Sequence, residues 1–177
     1  AVAQSTLGRR LETKRYFEDA DEAGTRRTVD VDFGPSEGHL KIRATEGGLP
    51  RDYAVETPDE VRDLLSALYL ARGLRLDDGD ELCLPVFASR RVWVIQGRVA
   101  GREQVRTAAG DYRTVHIEAT ATRADSPSVS REVHFWLSDD AARTPVAAFG
   151  LIQNKPVRAQ LVKHDPGRAR VAQAPRR

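Results

Sequence analysis

The chain has no methionine, one cysteine, and aromatic residues at only 6% of its 177 positions. The lone Cys83 excludes an intramolecular disulfide, so cysteine usage leaves the compartment open. No apolar run approaches the ~20 residues that a bilayer-spanning helix requires, which excludes a transmembrane segment of that kind. Lysine is scarce: Lys14, Lys41, Lys155 and Lys163 are the only four, so 24 of the 28 basic residues are arginine. No Gly-x-Ser-x-Gly elbow exists, and an acyl-transfer serine enzyme is not indicated. With no methionine at position 1, Ala1-Val2-Ala3-Gln4 fits a mature end behind a cleaved export signal, because small residues flank such sites.

Charged residues reach 31%, and the formal net charge is +2. The segment from Asp165 to Arg177 concentrates Arg168, Arg170, Arg176 and Arg177, which leaves the remainder close to neutral. A near-neutral body lacks the basic stripe of a nucleic-acid binder. Arg9-Arg10, Arg26-Arg27 and Arg90-Arg91 have acids interleaved nearby and read as solvated face and turn residues. Residues 1–164 are expected to form one β domain, and 165–177 a disordered basic tail.

What is present is period-two alternation. In Val92–Val99, Val115–Ala121 and Val133–Leu137, apolar residues fall at every second position, the spacing of strands with one buried face. Strands are expected near Glu81–Phe87, Val92–Arg102, Tyr112–Ala121, Arg131–Leu137, Val146–Leu151 and Val157–Lys163, separated by short turns. Upstream, Leu7–Glu18, Thr25–Phe33 and the Leu40/Ile42 segment read as a meander. A hairpin loop is expected over 19–24, and Gly47-Gly48-Leu49-Pro50 is expected to stop the sheet. One helix is expected over about 58–72, capped by Thr57, with Pro58 in its first turn and Asp59 and Glu60 at the positive end of its dipole. Val61, Leu64, Leu65 and Leu68 form its apolar stripe, and Leu70 widens it. The fold class is therefore mainly β: a curved antiparallel sheet or open barrel of roughly eight to ten strands, with the helix packed on its concave side.

Several blocks carry a resemblance. Leu65-Ser66-Ala67-Leu68-Tyr69-Leu70-Ala71-Arg72, Gly79-Asp80, Leu84-Pro85-Val86, Gly101-Arg102-Glu103, Thr107-Ala108-Ala109-Gly110 and Phe135-Trp136-Leu137-Ser138-Asp139-Asp140 occur in order. Over roughly Arg15 to Lys163 the chain resembles the bacterial domain-of-unknown-function family numbered three-one-zero-eight. The resemblance implies an exported protein of the Gram-negative envelope, periplasmic or outer-membrane-associated. It also implies a mostly antiparallel β fold akin to the lipoprotein-carrier half-barrels, in which a sheet wraps an apolar cavity plugged by a helix. It carries over no catalytic residue. The family's additional opening strands are not discernible before Arg9, so the first strand is expected to be an exposed edge open to pairing with another chain.

His116 and His134 stand at comparable places in neighbouring strands, on the face opposite the apolar set. They are candidates for a metal or a pH-sensitive pair, with Glu118 and Glu132 to complete the site. The plainer account is two solvent-side histidines, and no metal or cofactor is assigned. Asp139-Asp140 after Ser138 reads as a strand-ending turn, as does Asp77-Asp78-Gly79-Asp80, which lacks the later glutamate of a calcium loop. Cys83, between Leu82 and Leu84, is expected to be half-buried and unreactive. Trp93 aligns with Ile95 and Val99 and belongs to a core; Trp136 aligns with His134 and Ser138, where its indole can stack on a sugar or partner, core or helix packing being the plainer account. The expected function is non-enzymatic: binding of an envelope protein, glycan or lipid, with Leu64, Leu65, Leu68, Leu70, Trp93 and Trp136 as candidate contacts. A lipid carrier, a structural subunit of an envelope assembly, and a metal-assisted hydrolase using His116, His134 and Glu118 are the alternatives.

Overall fold

The structure, a computed structural model, describes residues 2–22, 24–34, 38–57, 60–152 and 155–165. Pro58 and Asp59 of the expected helix start, and the expected tail from Pro166 onward, lie outside the described residues.

Five strands, β1 (Val2–Leu7), β2 (Thr13–Glu22), β3 (Thr25–Asp32), β4 (His39–Glu46) and β5 (Leu49–Glu56), form an antiparallel meander in chain order. The chain continues through β6 (Arg62–Asp63), helix α1 (Leu64–Gly73), β7 (Glu81–Ala88), β8 (Arg91–Thr107), β9 (Gly110–Arg123), β10 (Ser126–Ser138), β11 (Pro145–Ile152) and β12 (Lys155–Gln160). These strands build a second sheet, ordered β12-β11-β10-β9-β8-β7-β6, which curls into a half-barrel. Among the described residues, only the two-residue β6 runs parallel to its neighbour. The fold is mainly β with one helix, as the alternation requires, but the strands divide between two sheets and number twelve among the described residues.

Four expectations need correction. Gly47-Gly48 does not stop the first sheet: both glycines have positive φ, 58° and 83°, the backbone of a two-residue hairpin turn that matches strand twist. The strand after it, β5, tolerates Pro50 because it is an edge strand whose missing N–H costs no ladder bond. Residues before Arg9 do form a strand, β1, which is the other edge of that sheet. The third correction is at Asp19, which continues β2 instead of opening a loop; Asp19 pairs with Thr28 across the ladder, and its carboxylate takes Arg26 at 2.6 Å.

The fourth concerns the helix, which starts at Leu64, not near residue 58. Asp63 is its N-cap, accepting from Leu65 N at 2.9 Å and Ser66 N at 3.2 Å. Upstream, Glu60 has φ 59°, which no helix accommodates, and Arg62-Asp63 pair with Val86-Phe87. Val61 is therefore no part of the helical stripe; it packs against the core beneath the first sheet. The working stripe is Leu64, Ala67, Leu68, Ala71 and Leu74.

Two clusters form the interior. Tyr16, Val29, Val31, Leu40 and Ile42 of the meander close on Phe87 and Val92 of the half-barrel, so one core joins the sheets. Val99, Val115, Ile117, Leu137 and Leu76 form the other, roofed by Leu68, Ala71 and Leu74 of the helix segment. Each such fully buried aliphatic side chain contributes about 1.5–3 kcal/mol. The polar join between layers is equally specific. The carboxylate of Asp63, fully buried, takes the Thr13 hydroxyl at 2.8 Å and those of Ser5 and Ser66, tying β1 and β2 to the helix start.

Candidate functional site

The half-barrel has two faces with different chemistry. Val115, Ile117, Phe135 and Leu137 point toward α1, so His116, Glu118, Glu132, His134 and Trp136 point the other way by strand alternation. Cross-strand register then sets the pairs: His134 faces Glu118, and Trp136 faces His116.

The two histidines meet. His116 Nε2 and His134 Nδ1 are 2.9 Å apart, and the rings stack at 5.2 Å between centroids. Trp136 lies on the His116 ring at 4.6 Å and on the His134 ring at 5.8 Å; Phe149 flanks His134 at 5.9 Å. The outer nitrogens face carboxylates: His116 Nδ1 is 3.3 Å from Glu103 Oε1, and His134 Nε2 donates to Glu132 Oε1 at 2.8 Å. Glu118 completes a group with His116 and His134 whose candidate ligand atoms all lie within 4.8 Å of one another, and Arg98 lies 3.3 Å from Glu118 Oε2. Burial lowers the His116 pKa from its ordinary value of 6.5; Glu103 and Glu118 pull the other way, and His134 adds to the lowering.

Glu103 is the member that sequence alternation misses. It stands four residues after Val99, on the same parity, and belongs by simple alternation on the helix face. A β-bulge between Val99 and Gly101 inserts Ala100, so Val99 pairs with Ile117 while Gly101 pairs with His116. Gly101 has φ 147°, a backbone that L side chains rarely adopt, and it turns Glu103 onto the histidine face. Beyond the bulge it is Arg102 that points inward, binding the Leu76 carbonyl at 2.7 Å.

The helix face carries a separate feature. An apolar cleft of about 60 Å³ runs between α1 and the sheet, bounded by Leu64, Leu68, Leu82, Leu84, Ile95 and Phe135. Of the sequence-derived contacts, Leu64 and Leu68 line it. Leu65 is 38% exposed and turned away, and the half-buried Leu70 lies outside the lining. Trp93 is core, as alternation indicates: it is 8% exposed, donates to the Ala88 carbonyl at 3.2 Å and is covered by Arg131. Trp136 is half-buried and stacks within its own chain.

Other sequence readings resolve simply. Ser138-Asp139-Asp140 is a turn: Asp140 accepts from the Ser138 hydroxyl and from the amides of Ala142 and Arg143 at 2.8–3.1 Å. The 77–80 run is also a turn, closed by Asp80 N to Asp77 O at 3.0 Å, with carboxylates engaged by Arg75 and Arg102. Cys83 is exposed, contrary to expectation, because Leu82 and Leu84 take the inward positions and β6 covers only the far end of β7. Arg26, Arg27, Arg90 and Arg91 all meet acids, and Arg27 is only half-exposed.

The fold and its two faces define a β half-barrel with a helix over its apolar side and a histidine–carboxylate cluster on the other. The chain belongs to the protein family of unknown function DUF3108, which it matches over residues 3–148. That match takes in β1, so the family's pattern reaches the chain ahead of Arg9. No curated protein and no solved structure matches it.

Proposed function

We propose that this protein is an exported, non-catalytic binding protein of the cell envelope whose half-barrel takes a lipid hydrocarbon chain under α1. The observation that carries this reading is the composition of the cleft. All of its lining side chains are aliphatic or aromatic, and several belong to β7, whose outer edge before Val86 has no partner strand among the described residues. A peptide in such a cleft would bury amides and carbonyls against side chains that offer no hydrogen bond, at a cost of several kcal/mol. A hydrocarbon chain carries no such penalty and gains about 0.8 kcal/mol per buried methylene.

The present cleft is far smaller than the ~300 Å³ at which ligand pockets begin, so loading requires α1 or its leucines to shift. Leu64, 44% exposed at the helix start, is the side chain placed to move first. The resemblance to envelope proteins supports export. Native mass spectrometry of the gently purified chain is the test: bound lipid mass is expected, and its loss in Leu84→Glu, which puts a carboxylate into the lining. A clean apo mass, before and after incubation with phospholipid vesicles, would overturn the reading.

A further inference from the structure

We propose that His116 Nε2, His134 Nδ1 and one Glu118 oxygen bind a single divalent transition-metal ion on the half-barrel face opposite the helix. This site is independent of the hydrocarbon cleft and shares no residue with it.

Proton accounting leads to it. A carboxylate only accepts hydrogen bonds, so Glu132 requires an N–H on His134 Nε2, and Glu103 favours one on His116 Nδ1. Two neutral imidazoles carry two protons between them, and a proton on each outer nitrogen leaves none for the inner pair. The inner nitrogens then confront each other as two lone pairs at 2.9 Å. Without a cation, the His116 proton moves to Nε2 and bridges the pair, and Glu103 keeps only the indole N–H of Trp136; with a cation between the inner nitrogens, both outer protons stay in place. A metal ion satisfies every group at once: two lone pairs bind it, and both outer N–H groups remain on carboxylates. That is the carboxylate–histidine–metal arrangement in which outer carboxylates fix the tautomer and raise ligand basicity.

The surroundings are consistent with this. Trp136 pins the His116 ring by stacking and orients Glu103 by donating to its Oε1 at 2.5 Å. Glu103, Glu118 and Glu132 bring three negative charges, of which Arg98 offsets one. Glu118 and Glu132 also line an open surface groove, which supplies a route from solvent. Two imidazoles and one carboxylate select Cu²⁺, Ni²⁺ or Zn²⁺ over the oxygen-seeking Ca²⁺ and Mg²⁺. With metal–nitrogen bonds of ~2.0–2.1 Å, the observed nitrogen separation corresponds to an angle near ~90° at the ion, which favours tetragonal Cu²⁺.

The test uses the tag-free chain after chelator treatment, titrated with Cu²⁺ and, separately, Zn²⁺ by calorimetry. One saturable site is expected. His116→Gln and His134→Gln should each weaken it at least ~100-fold, and Glu103→Gln about 10- to 100-fold. His39→Gln and His164→Gln should leave it unchanged. On the wild type, which removes any concern about variant folding, Zn²⁺ should perturb the imidazole NMR signals of His116 and His134 alone, and the Cu²⁺ spectrum should show coupling to two nitrogens. Absence of a saturable site, or equal perturbation of His39 and His164, would overturn the proposal and leave a proton-bridged histidine pair.

Discussion

Trp136 lies flat on His116, with ring planes 8° apart, and the same indole donates its N–H to Glu103, the carboxylate beside His116 Nδ1. One side chain thus sets both the plane and the outer partner of that imidazole. Trp136→Phe keeps most of the stacking area and removes the donor, so it should cost about 1.5 kcal/mol, the value of a hydrogen bond to a charged group. Urea denaturation measures it, and an unchanged midpoint would show that the indole N–H has no energetic role. In a Trp93→Phe background, Trp136 emission should be quenched by stoichiometric Cu²⁺.

The buried Asp63 carboxylate joins the two sheets and the helix. Asp63→Ala leaves the hydroxyls of Ser5, Thr13 and Ser66 and the amides of Leu65 and Ser66 without their acceptor. Loss of a cap and of several buried acceptor contacts should destabilise the fold by at least about 3 kcal/mol. Ser66→Ala, which removes one donor only, should cost about 1 kcal/mol. Equal effects in a denaturant titration would contradict a central role for the carboxylate.

Gly97 lies against Ala119 in the neighbouring strand. A methyl group there would stand 2.6 Å from the Ala119 Cβ and 2.6 Å from the Glu118 carbonyl oxygen, and backbone cannot yield as a long side chain does. Gly97→Ala should therefore cost about 1–3 kcal/mol by overpacking. Because it pushes on Glu118, it should also displace the carboxylate of the histidine face. A thermal melt tests the first effect, and the metal titration tests the second.

Asp140 gives a pH dependence with a definite sign. The Ser138 hydroxyl, then the amides of Ala142 and Arg143, hold its pKa below the ordinary 3.8, with Arg143 adding to the effect. A carboxylate with a lowered folded pKa stabilises fully above its unfolded value, and the contribution is lost as pH falls through the folded one. Stability of the wild type should thus decline between about pH 4 and the lower folded value more steeply than that of Asp140→Asn. Parallel acid-side slopes in urea midpoints would exclude the effect.

Much of the architecture was legible in the residues. Val115, Ile117 and Ala119 alternate with His116 and Glu118, and this alternation alone puts the histidines and Trp136 on one face. Ser138 and Asp140 announced a turn because their short side chains bind nearby amides. The helix start is not legible locally, because Thr57-Pro58-Asp59-Glu60 and Asp63 both make good local caps. The choice fell to Asp63 through contacts from Thr13 and Ser5, fifty residues and more away in the chain. β5 is hidden in the sequence because Pro50 has the look of a terminator unless its strand lies at a sheet edge.

By itself the order of amino acids determined a mainly β chain with one helix and, away from the bulge, assigned strand residues to one of two faces, since side-chain direction there follows from backbone period alone. Tertiary structure decided the rest. Register across β9 and β10 brought His116 and His134 to 2.9 Å, and one inserted residue at Ala100 turned Glu103 to join them. Neither is a local property: pairing offset and bulge position depend on how neighbouring strands pack, and no stretch of sequence carries that information alone.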